Sequence, residues 1–190
     1  MFEEFARLVR SARSRRRYIA SDPIAREMLL KLVDLARIVP SAMNAQPLRY
    51  RIVSDAAEVG QVFECTNWAK DMPTGPALTP AERATGWIVI LSHNPPFSPA
   101  MDTGIAAQTI QLAASAAGYA SCMLGAIDRP RIAEILKLPK DMNIELLMGL
   151  GRAGEQVVIE ELTPELQTSC WRTPDKVHHV AKRKLEDVLV

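Results

Sequence analysis

Apolar residues recur at Phe2, Phe5, Leu8, Val9 and Ala12, which places them on one face of a helix. Basic residues crowd the end of that helix, where they suit the negative end of its dipole. A second helix is expected after Asp22-Pro23, an N-cap followed by an N1 proline. Ile24, Met28, Leu32, Leu35, Ala36 and Val39 give it an apolar face, and Pro40 should end it. The period then changes. RYRIVS (49–54) and WIVILS (87–92) are short apolar, β-branched runs that read as strands, the second one buried. Between them, Ala56 to about Lys70 reads as helix. MPTGPALTP (72–80), with three prolines and a glycine, reads as an exposed loop, and SHNPPFSPA as another.

Asp102 is expected to cap a third helix, GIAAQTIQLAASAAG, which is small or apolar on nearly every face and so should be buried all round. Gly118 ends it. YASCML is extended, Asp128 with Pro130 starts a fourth helix to about Leu136, and IELLMGLG (144–151) is a third good strand. The tail has an extended acidic piece, VVIEELTPEL, and a basic end, KVHHVAKRKLEDVLV. Three or four strands with long helices on both sides make an α+β or mixed α/β sandwich.

Composition narrows the function. A chain of 190 residues, 48% hydrophobic, fits one sizeable domain and is marginal for two. A formal charge of +1 gives no whole-molecule attraction to nucleic acid. Met1 leads into charged residues, without a signal-peptide pattern, and no apolar run is long enough to span a bilayer. Cys65, Cys122 and Cys170 are an odd set without a C-x-x-C pair; they read as reduced thiols in a cytoplasmic protein. His178 and His179 lack the i,i+4 spacing of a helical metal pair.

Four stretches invite a chemical reading. GLGRAG (149–154) matches G-x-G-x-x-G, but a β-branched tail follows where a dinucleotide fold needs a helix; the expectation is a glycine turn leaving a strand. RSRRR (13–17) is either a solvated basic face or a phosphate site, since the arginine fork matches phosphate oxygens and Ser14 adds a hydroxyl. Its arginines repel one another unless an anion or carboxylates relieve them. As a nucleic-acid contact the run is short and lacks stacking aromatics. PSAMNAQP (40–47) is either a tidy helix exit or the polar wall of a ligand pocket, and local chemistry leaves the two even. Lys182, Arg183 and Lys184 form a charge cluster that completes an anion site if the tail folds back.

RSRRRY, then ARIVPSAMNAQP and a strand, then GIAAQTIQLAASAAGYASCMLGAID and LLMGLGRAGE, resemble in order the nitroreductase family of FMN-dependent NAD(P)H oxidoreductases. The tail WRTPDKVHHVAKRKLEDVL resembles one bacterial subgroup. The resemblance implies a single domain, 1–190, with a central mixed sheet flanked by helices, forming an intertwined homodimer with FMN at the interface. By position, it implies that Arg13, Ser14 and Arg16 hold the FMN phosphate and that Lys182 and Arg183 complete that site. It implies that Pro40, Ser41, Ala42, Asn44 and Gln46 lie along the flavin from the partner subunit, and that Leu124 and Gly125 face its central ring. It puts Asn67 and Lys70 within reach of the pyrimidine end, in the segment (55–85) where the resemblance is weakest. The implied activity is reduction of nitroaromatic, quinone or similar flat acceptors by NAD(P)H in a ping-pong hydride mechanism, with no catalytic side chain and no metal. Reductive dehalogenation or flavin breakdown on the same fold is the neighbouring alternative, and a nucleic-acid module built on Arg13–Arg17 the distant one. Two departures stand out: Leu48 replaces a commonly aromatic residue, and Ala12 a frequently basic one, which leaves open whether Arg15 or Arg17 compensates.

Overall fold

The computed structural model describes residues 1–68, 78–93, 95, 98–164, 166, 170–175 and 177–190. A four-stranded sheet lies at its centre, built from β1 (Leu48–Val53), β2 (Gly86–His93), β3 (Ala120–Leu124) and β4 (Met142–Gly151) in the order β1-β2-β4-β3. The strand pairs are antiparallel, and a parallel bridge from Ser14 to Ser121 along the β3 edge makes the sheet mixed. The continuous apolar run of β2 follows from its place in the middle. Trp87, Val89 and Leu91 enter one core, with Val59, Val62, Ile132 and Leu147; Ile88 and Ile90 enter the other, with Leu29, Leu32, Ala107, Ile110 and Met148.

Helices α2 (Arg26–Ala36) and α4 (Ala100–Ala116) cover the second core, while α3 (Ala56–Phe63) and α5 (Arg129–Ile135) cover the first. Helix α1 (Phe2–Ser11) packs beside α4 and buries none of its own residues. The two tail pieces are strands: β5 (Gln156–Glu161) and β7 (Val177–Lys182) run parallel, and β6 (Cys170–Arg172) adds antiparallel to β7.

Several expected boundaries move. Helix α2 starts at Arg26 with Ala25 as N-cap, because the Asp22 carboxylate is drawn to Arg152 instead (2.9 Å). It ends at Ala36, ahead of Pro40. Asp102 lies inside the first turn of α4, not at its cap; its carboxylate accepts the Ala42 N–H (3.1 Å). Helix α4 is not buried all round, since Met101, Gly104, Ile105 and Gln108 face outward. Helix α3 stops at Phe63: residues 64–68 form a turn and a bridge rather than the expected helix, and the last expected positions, 69 and 70, lie outside the described residues.

GLGRAG is a packing device. Tyr18 is buried across β4 and donates to the Gly149 carbonyl (3.0 Å). A Cβ would come within 2.9 Å of the Trp87 ring at Gly149, 3.0 Å of the Tyr18 ring at Gly151 and 2.7 Å of the Tyr18 carbonyl oxygen at Gly154. Gly154→Ala should therefore cost about 1–3 kcal/mol by overpacking against backbone. Gly60→Ala, in α3 with nothing near its Cβ, should gain about 0.5–1 kcal/mol. Thermal melts compare the two; equal shifts would contradict the packing role of Gly154.

Candidate functional site

Leaving α1, residues 12–18 run extended between β3 and the tail. Ser14 bridges Ser121, and the Arg15 N–H donates to the Ser121 carbonyl (3.0 Å). The next two amides turn to one carboxylate: Arg16 N–H and Arg17 N–H (3.2 Å) both donate to Glu155 Oε1. Glu155 Oε2 accepts from Arg172 Nε of β6 (2.8 Å). The buried Arg17 guanidinium pairs with Glu82 (2.7 Å), and the Arg13 guanidinium caps α1 through the Val9 and Ala12 carbonyls (2.9 and 3.0 Å). Burial alone would raise the Glu82 carboxyl, but hydrogen bonds from the Thr79 amide and hydroxyl and from Arg17 outweigh it and hold the group at about 2. Carboxylates thus relieve part of the arginine repulsion.

The PSAMNAQP loop contains a short 3₁₀ turn, Ala42–Asn44. Met43, Asn44 and Gln46 have φ of 51°, 54° and 47°, left-handed values that cost non-glycine residues about 1 kcal/mol or more each. The surroundings impose this. Asp102 holds the Ala42 amide, Ser41 Oγ accepts the Gln46 N–H (3.1 Å), and the Gln46 side chain donates to Asn44 Oδ1 (3.1 Å). Ser41 and Asn44 therefore serve the loop's own geometry rather than the end of α2, and the strain concentrates where the pocket reading put a ligand. Met43 is 85% exposed and packs under nothing. A cavity of about 170 Å³ lies behind the loop, lined by Val39, Pro40, Ser41, Gln46, Leu48 and Asp102 among others.

After β3, Leu124 is buried and Gly125 exposed, and a Cβ on Gly125 would meet nothing within 4 Å. The Arg129 side chain fixes this turn, donating to the carbonyls of Gly125 (3.2 Å), Ile144 (3.0 Å) and Glu145 (3.4 Å). The Asn67 N–H donates to the Ala126 carbonyl (3.0 Å), so the Asn67 backbone does border this turn, while Lys70 lies outside the described residues. Lys182, the last residue of β7, and Arg183 are exposed.

The sequence reading missed Glu82, Glu155, Arg129, Arg172 and His178. His178 is buried on β7 directly opposite Arg172, and burial, with Arg172 next in weight, pushes its imidazole down to about 4. Neighbouring His179 points to the other face, hydrogen-bonded to Glu160 (2.6 Å) and stacked on Trp171. Burial pushes the Cys122 thiol up to about 11, so it is no nucleophile near neutral pH. Among the described residues no group of three or more His, Cys, Asp or Glu side chains could hold a metal, and no helix is long and apolar enough to cross a membrane.

The architecture is an α+β sandwich with an arginine-serine segment along one sheet edge and a strained polar loop at the other. The model of the nitroreductase family matches residues 9–152, and the chain belongs to that family. A relative from Archaeoglobus fulgidus, with the provisional name NADH dehydrogenase/NAD(P)H nitroreductase, is 23% identical over 93% of this chain and 97% of that protein. Among solved structures, an FMN-dependent nitroreductase of Clostridium difficile R20291 aligns with a TM-score of 0.64 and 24% identity, over 78% of this chain and 87% of that one. Oxidized iodotyrosine deiodinase bound to FMN and 3-iodo-L-tyrosine aligns with a TM-score of 0.65 and 20% identity, over 78% and 89%.

The Glu82 carboxylate sits below its ordinary value of 4.5, so its contribution is full above that pH and lost as pH falls through about 2. Glu82→Gln should lower unfolding free energy by about 2 kcal/mol at pH 7. The deficit should shrink as pH approaches 2, read from denaturant unfolding at both ends; a deficit that stays constant would contradict the pairing.

Proposed function

We propose that the protein is an FMN-dependent oxidoreductase that uses NAD(P)H to reduce flat acceptors such as nitroaromatics and quinones. The observation that carries this reading is β3 itself. Ser121, beside Ser14 and Arg15, lies four residues before Gly125, so the phosphate-type segment and the open Gly125 turn stand about 13 Å apart along one strand. An elongated ligand with an anionic end and a flat end suits that spacing. The donor set also fits a phosphate monoester: Arg15 Nε and Ser121 Oγ are buried with no hydrogen-bond partner among the described residues.

When bound, FMN supplies hydride acceptance from NAD(P)H and hydride donation to the acceptor. The chain binds and orients. Arg13, Ser14 and Arg16 hold the phosphate, with Lys182 and Arg183 reaching it from the tail. Leu124 and Gly125 offer backbone to the central ring, and the missing side chain of Gly125 lets the ring approach. Asn67 and Lys70 serve the pyrimidine end. Pro40, Ser41, Ala42, Asn44 and Gln46 form the opposite wall. That wall belongs to a second copy: the loop leads into β1, three strands from β3, or about 14 Å across the sheet. A homodimer is also supported by the uncovered apolar residues Phe2, Phe5 and Val9 of α1 and Met101 and Ile105 of α4. A single domain, 1–190, in the cytoplasm with free thiols completes the reading.

The purified protein should be yellow, or turn so with FMN, and NADH or NADPH should bleach it without oxygen. Protein that stays colourless with added FMN sinks the reading. Arg16→Ala removes a charge-assisted phosphate contact and should weaken FMN binding about tenfold or more; unchanged affinity would mean that the phosphate lies elsewhere. Steady-state rates with nitroaromatic, quinone and halogenated aromatic acceptors name the acceptor class, and a rate confined to the last would replace nitroreduction by dehalogenation.

A further inference from the structure

The arginine segment is short of free cations for a phosphate. The position where a basic residue is frequent is Ala12, which is 1% exposed and belongs to the core. Arg17 is paired with Glu82. Arg13 gives Nε and Nη2 to the end of α1 and offers an anion only the rest of its guanidinium. Arg15 and Arg16 remain, with no acceptor for their guanidiniums among the described residues.

The C-terminal sheet brings what is missing. Glu155 binds the Arg16 and Arg17 amides with one oxygen and Arg172 with the other, so Arg172 is fixed one carboxylate away from the arginine segment. His178 stands directly opposite Arg172, with side chains about 5 Å apart on the same face. It is 1% exposed, and neither ring nitrogen has a hydrogen-bond partner among the described residues. The Ser121 hydroxyl, 2% exposed, is in the same position. Buried imidazoles and hydroxyls are rarely left so, because the lost hydrogen bonds to water go unreplaced. Guanidiniums in excess of carboxylates, beside an imidazole without an acceptor, are the complement of a phosphate monoester.

We propose that Arg172 and His178 bind the phosphate end of the cofactor together with Arg13, Ser14 and Arg16. Both lie on the C-terminal sheet, beyond residue 152, where the family match ends. Arg172 adds positive charge beside the segment while it stays paired with Glu155, and His178 donates one N–H as a neutral ring. Half-buried Arg16 marks the side from which the anion enters. The inference rests on the flavin reading above.

Fluorescence titration with FMN and with riboflavin, which lacks the phosphate, separates the two. Arg172→Gln should weaken FMN binding about tenfold or more and His178→Asn several-fold, with riboflavin affinity unchanged in both. Arg172→Gln strips Glu155 of its cation, so the Glu155→Gln/Arg172→Gln double variant, which buries no unpaired charge, carries the same expectation if the single variant fails to fold. His178→Asn leaves the ion pair in place. Variants that bind FMN like the wild type, or that lose FMN and riboflavin alike, overturn the assignment of Arg172 and His178 while the flavin reading stands. A wild type that binds neither flavin overturns the flavin reading and this inference with it.

Discussion

One buried carboxylate organises the candidate site. Glu155 receives the amides of Arg16 and Arg17 and the guanidinium of Arg172, and so fastens an N-terminal segment to a C-terminal sheet more than 130 residues away in sequence. Without it, two backbone donors would lie buried without acceptors, and several guanidiniums would crowd together with one carboxylate fewer to relieve them. The glycines before it permit the approach. Gly149, Gly151 and Gly154 keep β4 and its exit close enough to Tyr18 for the extended segment to lie across the sheet. The G-x-G-x-x-G spacing thus serves side-chain packing and not a pyrophosphate.

Strand order is the second constraint. The sheet runs β1-β2-β4-β3, with the arginine-serine segment on the β3 edge and the PSAMNAQP loop at the start of β1. Within one copy these two edges do not meet. The strain in the loop, at Met43, Asn44 and Gln46, is locked in by Ser41 and Asp102 rather than by anything on the β3 side. A preformed loop of this kind is suited to presenting a wall to a ligand held by another copy, and the uncovered apolar faces of α1 and α4 are consistent with that arrangement.

The sheet and its helices were legible because burial on both faces writes long apolar runs at 87–91 and 144–150 and periodic ones in α2 and α4. Helix starts were less legible. Asp22 and Asp102 look like caps, but each found a partner distant in sequence, Arg152 and the Ala42 amide, and long-range partners leave no local trace. The same holds at the site. The arginines, the loop and Gly125 announce themselves by residue type, whereas Glu155, Glu82 and Arg172 are ordinary charged residues until the fold brings them to the arginine segment. Nor did sequence show the left-handed turns, since the loop contains no glycine to mark them.

The account's central claim is that the arginine-serine segment holds an FMN phosphate while the strained loop meets the same flavin from a second copy. A crystal structure of the protein grown with FMN tests it most directly. The predicted result is phosphate density within hydrogen-bond distance of Ser14 Oγ and the Arg16 guanidinium of one subunit, with Ser41 or Asn44 of the other along the ring. Flavin bound elsewhere, or touching both segments of a single chain, would contradict it.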